Sequence, residues 1–237
     1  MYKYLLFDID GTIFDFEHDK DIAFRHMYAA SGLESVKPLT DELFALYDTC
    51  NMAWWKKFEN KLCTKAELFN NRFIDFFAAA DLPYTDPDVL NKLFFDALGE
   101  TATYFSGAEA MLKTLMSHYD IYIVTNGNAS SQMTRMEISG LTKYIKGCFI
   151  SETAGAAKPD KRYFDYVLAG IPGAKPEDCI VIGDSLSSDM RGAANANMDS
   201  IWFNPHHAPN PANVPVTHEV SSFEEILRIL LPGDAKC

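Results

Sequence analysis

From about residue 106 onward the chain alternates short apolar runs with helical stretches, and this rhythm limits its possible folds more than any other feature. The runs at 121–124 (Ile-Tyr-Ile-Val), 148–150 (Cys-Phe-Ile), 180–182 (Ile-Val-Ile) and 200–203 (Ser-Ile-Trp-Phe) have the length of buried strands. Helices are expected at 107–118, 129–138, 160–169 and 188–196, with a last one from Ser222. Strands alternating with helices pair in parallel through right-handed crossovers, and the helices cover both faces. The run Tyr4-Leu5-Leu6-Phe7 supplies one more buried strand at the N-terminal end. The expected class is α/β, a Rossmann-like doubly wound parallel sheet.

The stretch between the first strand and the next, near residue 120, reads as helical throughout. Helices are expected at 19–31 and at about 40–60. A third opens on the capping-box sequence Thr64-Lys65-Ala66-Glu67 and runs through Phe69, Phe73, Phe76 and Phe77. A fourth starts at Asp86-Pro87, with proline at the first helical position, and ends before Gly99. Four helices with several apolar faces can build a small core of their own. The expected organisation is an α/β core of residues 1–14 and 101–237 with an inserted helical domain of residues 15–100. The segment 204–215, with four prolines, reads as an extended loop.

The first strand ends in Asp8-Ile9-Asp10-Gly11-Thr12. Ligands of open α/β sheets bind at the carboxyl ends of the strands, where this run delivers two carboxylates. Carboxylates so close together repel unless they share a cation or a proton, and a metal site with a nucleophile beside it meets that requirement. Taken alone, the motif also suits an Asx turn closing a strand.

Three further strand ends carry polar groups. Thr125-Asn126-Gly127 offers a hydroxyl and backbone amides ahead of a helix N-terminus, which makes a small anion cradle, although the same residues also suit a plain strand-to-helix turn. Lys158-Pro159 places a cation where it could neutralise a phosphate and a carboxylate. Gly183-Asp184-Ser185-Leu186-Ser187-Ser188-Asp189 brings Asp184, which could complete with Asp8 the all-oxygen site that Mg²⁺ prefers. Asp189 also reads as an ordinary acid of a first helical turn.

In this order, each after a candidate strand, the four motifs resemble those of the haloacid dehalogenase superfamily of phosphohydrolases, over essentially the whole chain. The insertion after the first motif is similar to that family's helical cap, which implies a cap domain of residues 15–100 and a catalytic core of residues 1–14 and 101–237. The resemblance implies Asp8 as nucleophile and Asp10 as general acid/base, with Thr125 and the Asn126 amide holding phosphate. It implies Lys158 as charge balance, Asp8, Asp10 (through its carbonyl) and Asp184 as Mg²⁺ ligands, and Asp189 as support for Lys158 or a metal-bound water. Asp10 argues against the dehalogenase members, which have no alkoxide leaving group to protonate.

A closer resemblance, to the bacterial pyrimidine 5′-nucleotidases, rests on residues 51–60 with Trp55, on Arg72-Phe73, on residues 202–207 with His206-His207, and on Val220-Ser221-Ser222. It implies nucleoside monophosphates as substrates, with Trp55 and Arg72 as cap contacts; Trp54 and Trp55 serve equally as cap packing. The alternatives are a sugar-phosphate phosphatase, a phosphomutase of the β-phosphoglucomutase type, or a non-catalytic binding protein. The aromatic cap disfavours the mutase, and the retention of every acid disfavours the non-catalytic protein.

The net charge of −12 argues against a nucleic-acid polymer as partner, because no basic patch is left to meet a phosphate backbone. A local cation must therefore meet the anionic substrate. No apolar run approaches a membrane span, acidic residues arrive by Asp8, and the five cysteines form no CxxC pair. These features predict a cytoplasmic protein with reduced, mostly buried thiols, free of the membrane and acting as a monomer or weak homodimer.

Overall fold

The structure, a computed structural model, describes residues 2–232. Six parallel strands form one sheet in the order β3-β2-β1-β4-β5-β6: Tyr4–Phe7 (β1), Asp120–Thr125 (β2), Gly147–Ile150 (β3), Cys179–Gly183 (β4), Asp199–Phe203 (β5) and His218–Val220 (β6). The chain winds outward from β1 to β3, then crosses to the other side of β1 to make β4. That reversal opens a crevice at the carboxyl ends of β1 and β4, the usual ligand position in such sheets.

Residues alternate between two buried faces. Leu5, Phe7, Ile121, Ile123, Ile180, Ile182, Ile201 and Phe203 meet Ala108–Leu115 (α5) and Phe223–Leu230 (α10). On the other face Leu6, Val124 and Val181 meet Lys161–Gly170 (α8) and Arg191–Asn195 (α9). Because both faces are apolar, a slip of one residue would still bury hydrophobic side chains. Register is anchored instead by the ends of the strands, where the polar residues must emerge into the crevice.

Helices Phe16–Ala30 (α1), Asp41–Glu59 (α2), Lys65–Ala80 (α3) and Pro87–Gly99 (α4) share a separate core. It is built on rings: Phe24 stacks on Tyr47 at 4.2 Å and meets Phe76 edge-on at 5.6 Å. The capping box forms, with Glu67 N–H donating to the Thr64 hydroxyl and Thr64 N–H donating to the Glu67 carboxylate. Two linkers join this bundle to the sheet side by side, with Asp15 N–H donating to Thr103 O at 2.8 Å and Phe105 N–H to Ile13 O at 3.0 Å.

Several expectations need correction. Helix α1 starts three residues earlier than position 19, because Asp15 caps it by accepting from His18 N–H. The helix expected at 188–196 is split into a wide π turn, Leu186–Met190, and α9; the turn brings the Asp189 carboxylate back onto Ser185 N–H at 3.1 Å. Strand β6 escaped notice because His-Glu-Val carries a single apolar side chain and no alternation. Among the described residues the four cysteines are free thiols, Cys179 buried and Cys50, Cys63 and Cys148 at partly exposed positions. Cys237 lies outside the described residues. Among the described residues no helix is long and apolar enough to cross a membrane.

Candidate active site

A cavity of about 640 Å³ lies between the carboxyl edge of the sheet and the four-helix bundle, within the usual size range of small-molecule sites. Asp8, Asp10, Thr125, Asn126, Lys158, Asp184 and Asp189 all line it, and so do Trp55 and Arg72. The polar residues named from the four motifs, spread from Asp8 to Asp189, therefore meet at one place.

Lys158 organises the floor. It is 2 % exposed, and its ammonium donates to Asp8 Oδ1 at 2.5 Å, Asp189 Oδ1 at 2.7 Å and Val124 O at 2.7 Å. All three of its protons are thus used. Its backbone is fixed by Asn126, whose side chain accepts from Lys158 N–H at 3.0 Å and donates to Lys158 O at 2.9 Å. Burial works against the Lys158 charge, yet the Asp189 and Asp8 carboxylates outweigh it and hold the ammonium protonated, well above the usual lysine range.

The floor remains short of positive charge. Oxygens of Asp8, Asp184 and Asp189 lie within 4.8 Å of one another, against the single ammonium of Lys158. Burial pushes the Asp8 carboxyl up to about 7, with Lys158 opposing the rise and Asp189 and Asp10 adding to it. Asp184 is also raised, first by burial and then by Asp8 and Asp189. Asp184 is the exposed member of the three and faces the cavity. Three clustered carboxylates with two charges uncompensated are a donor set that fits a hard divalent cation. Gly11 leaves room for this cluster. Its φ is +81°, and a Cβ there would approach Asp184 Oδ2 to 2.5 Å.

Asp10 is held apart from that cluster. Its Oδ1 accepts from Arg135 Nη1 at 2.5 Å and its Oδ2 from Gln132 Nε2 at 2.5 Å. Its side chain thus points to Ala129–Ile138 (α6), with both carboxylate oxygens engaged there. Gln132 Nε2 also donates to Thr125 Oγ1 at 3.1 Å, which ties the candidate phosphate-binding hydroxyl to the candidate acid/base. Arg135 is fully buried and donates further to Asp19 Oδ2 at 2.9 Å and Thr101 O at 2.9 Å. Asp10, Arg135 and Asp19 form a buried ionic chain that reaches from the floor to the foot of α1 at the paired linkers.

Sequence reasoning missed Gln132 and Arg135. The available signal was their i, i+3 spacing in the first turns of the helix after Thr125-Asn126-Gly127, which turns both toward the strand end.

The roof is aromatic. Trp55 faces the cavity and meets Phe58 and Phe69 edge-on at 5.9 and 6.3 Å, while Phe69 meets Phe95 at 4.8 Å. Trp54 lies elsewhere, donating to Asp75 of α3 at 2.7 Å with Lys57 over its ring at 3.5 Å. It packs the bundle and takes no part in lining the cavity. His206 and His207 are exposed and do not line it either; the same loop contributes Pro211 and Ala212. The rim is latched by Glu59 to Ser187 (2.5 Å), Lys61 to Asp160 (2.8 Å), and Lys65 to Glu152 (2.8 Å) and Gly127 O (2.8 Å).

Comparison with known proteins agrees with this geometry. The family described as haloacid dehalogenase-like hydrolase matches residues 2–197. The pyrimidine 5′-nucleotidase PynA of Streptococcus pneumoniae is 35 % identical over 230 residues, 97 % of this chain and 95 % of that one. The pyrimidine 5′-nucleotidase YjjG of Escherichia coli is 31 % identical over 229 residues, 97 % of this chain and 98 % of that one. The crystal structure of the HAD-hydrolase YfnB from Bacillus subtilis bound to magnesium superposes with a TM-score of 0.90 at 35 % identity, covering 97 % of this chain and 99 % of that one. The chain belongs to the haloacid dehalogenase-like hydrolases.

Proposed function

We propose that the protein hydrolyses phosphate monoesters through a covalent intermediate on Asp8, and that its substrates are pyrimidine nucleoside 5′-monophosphates. Residues 15–100 act as the cap over a catalytic core of residues 1–14 and 101–237. The observation that carries the reading is that one cavity holds the Asp8–Lys158–Asp189 cluster on its floor and Trp55 and Phe69 on its roof. The similarity to PynA and YjjG over nearly the whole chain supports the choice of nucleotide.

Asp8, Asp184 and the Asp10 carbonyl would hold Mg²⁺, which when bound supplies charge that neutralises the phosphate dianion and the nucleophile. Thr125 Oγ and the Asn126 amide hold the phosphate oxygens, and Lys158 keeps Asp8 oriented and its repulsion toward the dianion low. An Asp8 oxygen attacks phosphorus, and the bond to the ester oxygen breaks as Asp10 delivers a proton to it. Water then gives its proton to Asp10 and attacks the same phosphorus, releasing inorganic phosphate and restoring the Asp8 carboxylate. Asp189 acts through Lys158. The partly exposed free thiols suit a reducing compartment such as the cytoplasm.

Phosphate release from UMP, dTMP, glucose 6-phosphate and an aryl phosphate, each with Mg²⁺, tests the proposal. Higher kcat/KM on the two nucleotides is expected. If hexose phosphates prove better, the nucleotidase reading falls and the phosphatase reading stands. No turnover of any of the four would remove both.

A further inference from the structure

Arg72 is the one large cation of the cap buried without a carboxylate partner among the described residues: it is 2 % exposed and forms no ion pair. Its guanidinium sits among the rings of Phe69, Phe73, Phe94 and Phe95, at 4.8–5.4 Å from their centroids. Its Nε has no partner at all. One N–H of each terminal nitrogen goes to an amide oxygen, Nη1 to Asn51 Oδ1 and Nη2 to Asn91 Oδ1, both at 3.0 Å. A guanidinium only donates, so each asparagine must turn its oxygen to Arg72 and its NH₂ away.

The two asparagines then differ. Asn91 Nδ2 donates to Asn70 Oδ1 at 2.9 Å, so that side chain is fully used. Asn51 is 3 % exposed and lines the cavity, yet among the described residues its Nδ2 meets no acceptor. Among the described residues the enclosed side-chain atoms without a partner are Tyr47 Oη, Arg72 Nε and Tyr104 Oη; Asn51 Nδ2 is instead open to the cavity, where a substrate atom can accept from it.

Resting on the nucleotidase reading, we propose that Asn51 determines base specificity by donating its Nδ2–H to a carbonyl oxygen on the distal edge of the base, and that Arg72 is the positioning residue that fixes this donor. The base is the end of the nucleotide farthest from the phosphate, and its distal edge therefore meets the cap wall while Trp55 and Phe69 border the ring. A uracil or thymine presents an acceptor at C4, whereas cytosine presents an amino donor, which faces the Asn51 NH₂ donor to donor. Arg72, named from sequence as a substrate contact, acts through Asn51 and itself touches no base atom.

The test is the ratio of kcat/KM for UMP to that for CMP, taken within each variant so that general losses cancel. The wild type should favour UMP by about tenfold or more, because a site built to pair one hydrogen-bonding group discriminates strongly against its absence. N51D, which only accepts, should bring the ratio to about one or below, chiefly through KM. R72M frees the amide to turn over and should also lower the ratio, while R72K, still a donor, should retain more of it than R72M. A wild type that treats CMP and UMP alike, or an N51D ratio within twofold of the wild type, overturns the inference while leaving the nucleotidase reading in place. If no nucleotide is hydrolysed at all, both are wrong. Should N51D not fold, the wild-type series UMP, 4-thiouridine 5′-monophosphate, CMP decides. In that series the C4 acceptor first weakens and then becomes a donor, so kcat/KM must fall in that order; any other order refutes the proposal.

Discussion

The floor and the roof of the cavity solve opposite problems. On the floor, charge is concentrated: the Lys158 ammonium bonds the carboxylates of Asp8 and Asp189, and Asp184 lies close beside them, with Asp8 and Asp184 set directly after β1 and β4. On the roof, rings from α3 and α4 surround a lone guanidinium. On the proposed function the floor grips phosphate, a group every monoester shares, and the roof meets the part of the substrate that differs from one monoester to the next. Reaction and selection then fall to two separate cores, joined by the paired linkers and the Asp10–Arg135–Asp19 chain.

The sharpest way to break this division is at the nucleophile. D8N keeps the shape of the floor and removes the attacking charge, so turnover on every substrate should fall by about three powers of ten or more. More than about one per cent residual phosphate release, with deamidation excluded by mass spectrometry, would contradict covalent catalysis by Asp8.

Chelation should be nearly as severe. EDTA should abolish phosphate release, Mg²⁺ should restore it, and Ca²⁺ should inhibit, since its larger and looser coordination misplaces the carboxylate. Full turnover in a preparation shown by elemental analysis to be metal-free would remove the metal from the floor.

The ionic chain between the two regions comes next. R135M leaves Asp19 buried without its cation, which should lower unfolding stability by about 3–5 kcal/mol in a denaturant titration. It should also cut kcat more than it raises KM, because Asp10 loses its orientation. A variant with native stability would mean that the chain is not a structural link.

At the roof the effect should be selective. W55A should reduce kcat/KM for UMP by about tenfold more than for a small aryl phosphate, in line with about 1–3 kcal/mol for stacking of a base on an aromatic ring. Equal losses on both substrates would assign Trp55 to cap packing. The smallest effect belongs to the rim. Lys61 is 66 % exposed in its pair with Asp160, and such pairs contribute little. K61A should change the melting temperature and kcat/KM only marginally, and a large change would show that the latch governs cap position.

Of this design, the sequence by itself carried five of the six strands, the helical segment and the grouping of the floor residues. Strands advertise themselves by apolar runs, helices by caps such as Thr64-Glu67, and Asp8, Thr125 and Asp184 stand at or directly after strands whose ends must converge in a parallel sheet, while Lys158 follows β3 after a short helix, Ser151–Ala154. That convergence is a property of the topology, so Asp8, Thr125, Lys158 and Asp184 could be grouped without coordinates. Only the tertiary structure decided the rest. Gln132 and Arg135 look like ordinary polar residues of an amphipathic helix until α6 is set against Asp10. Trp54 and Trp55 are neighbours in sequence, yet about 100° of helical rotation sends one to α3 and the other to the cavity. Arg72 and Asn51 lie 21 residues apart on different helices, and neither residue type announces a partner. Which face a helix turns inward, and which distant side chain it meets there, depends on packing between helices, and a local sequence pattern carries no record of that contact.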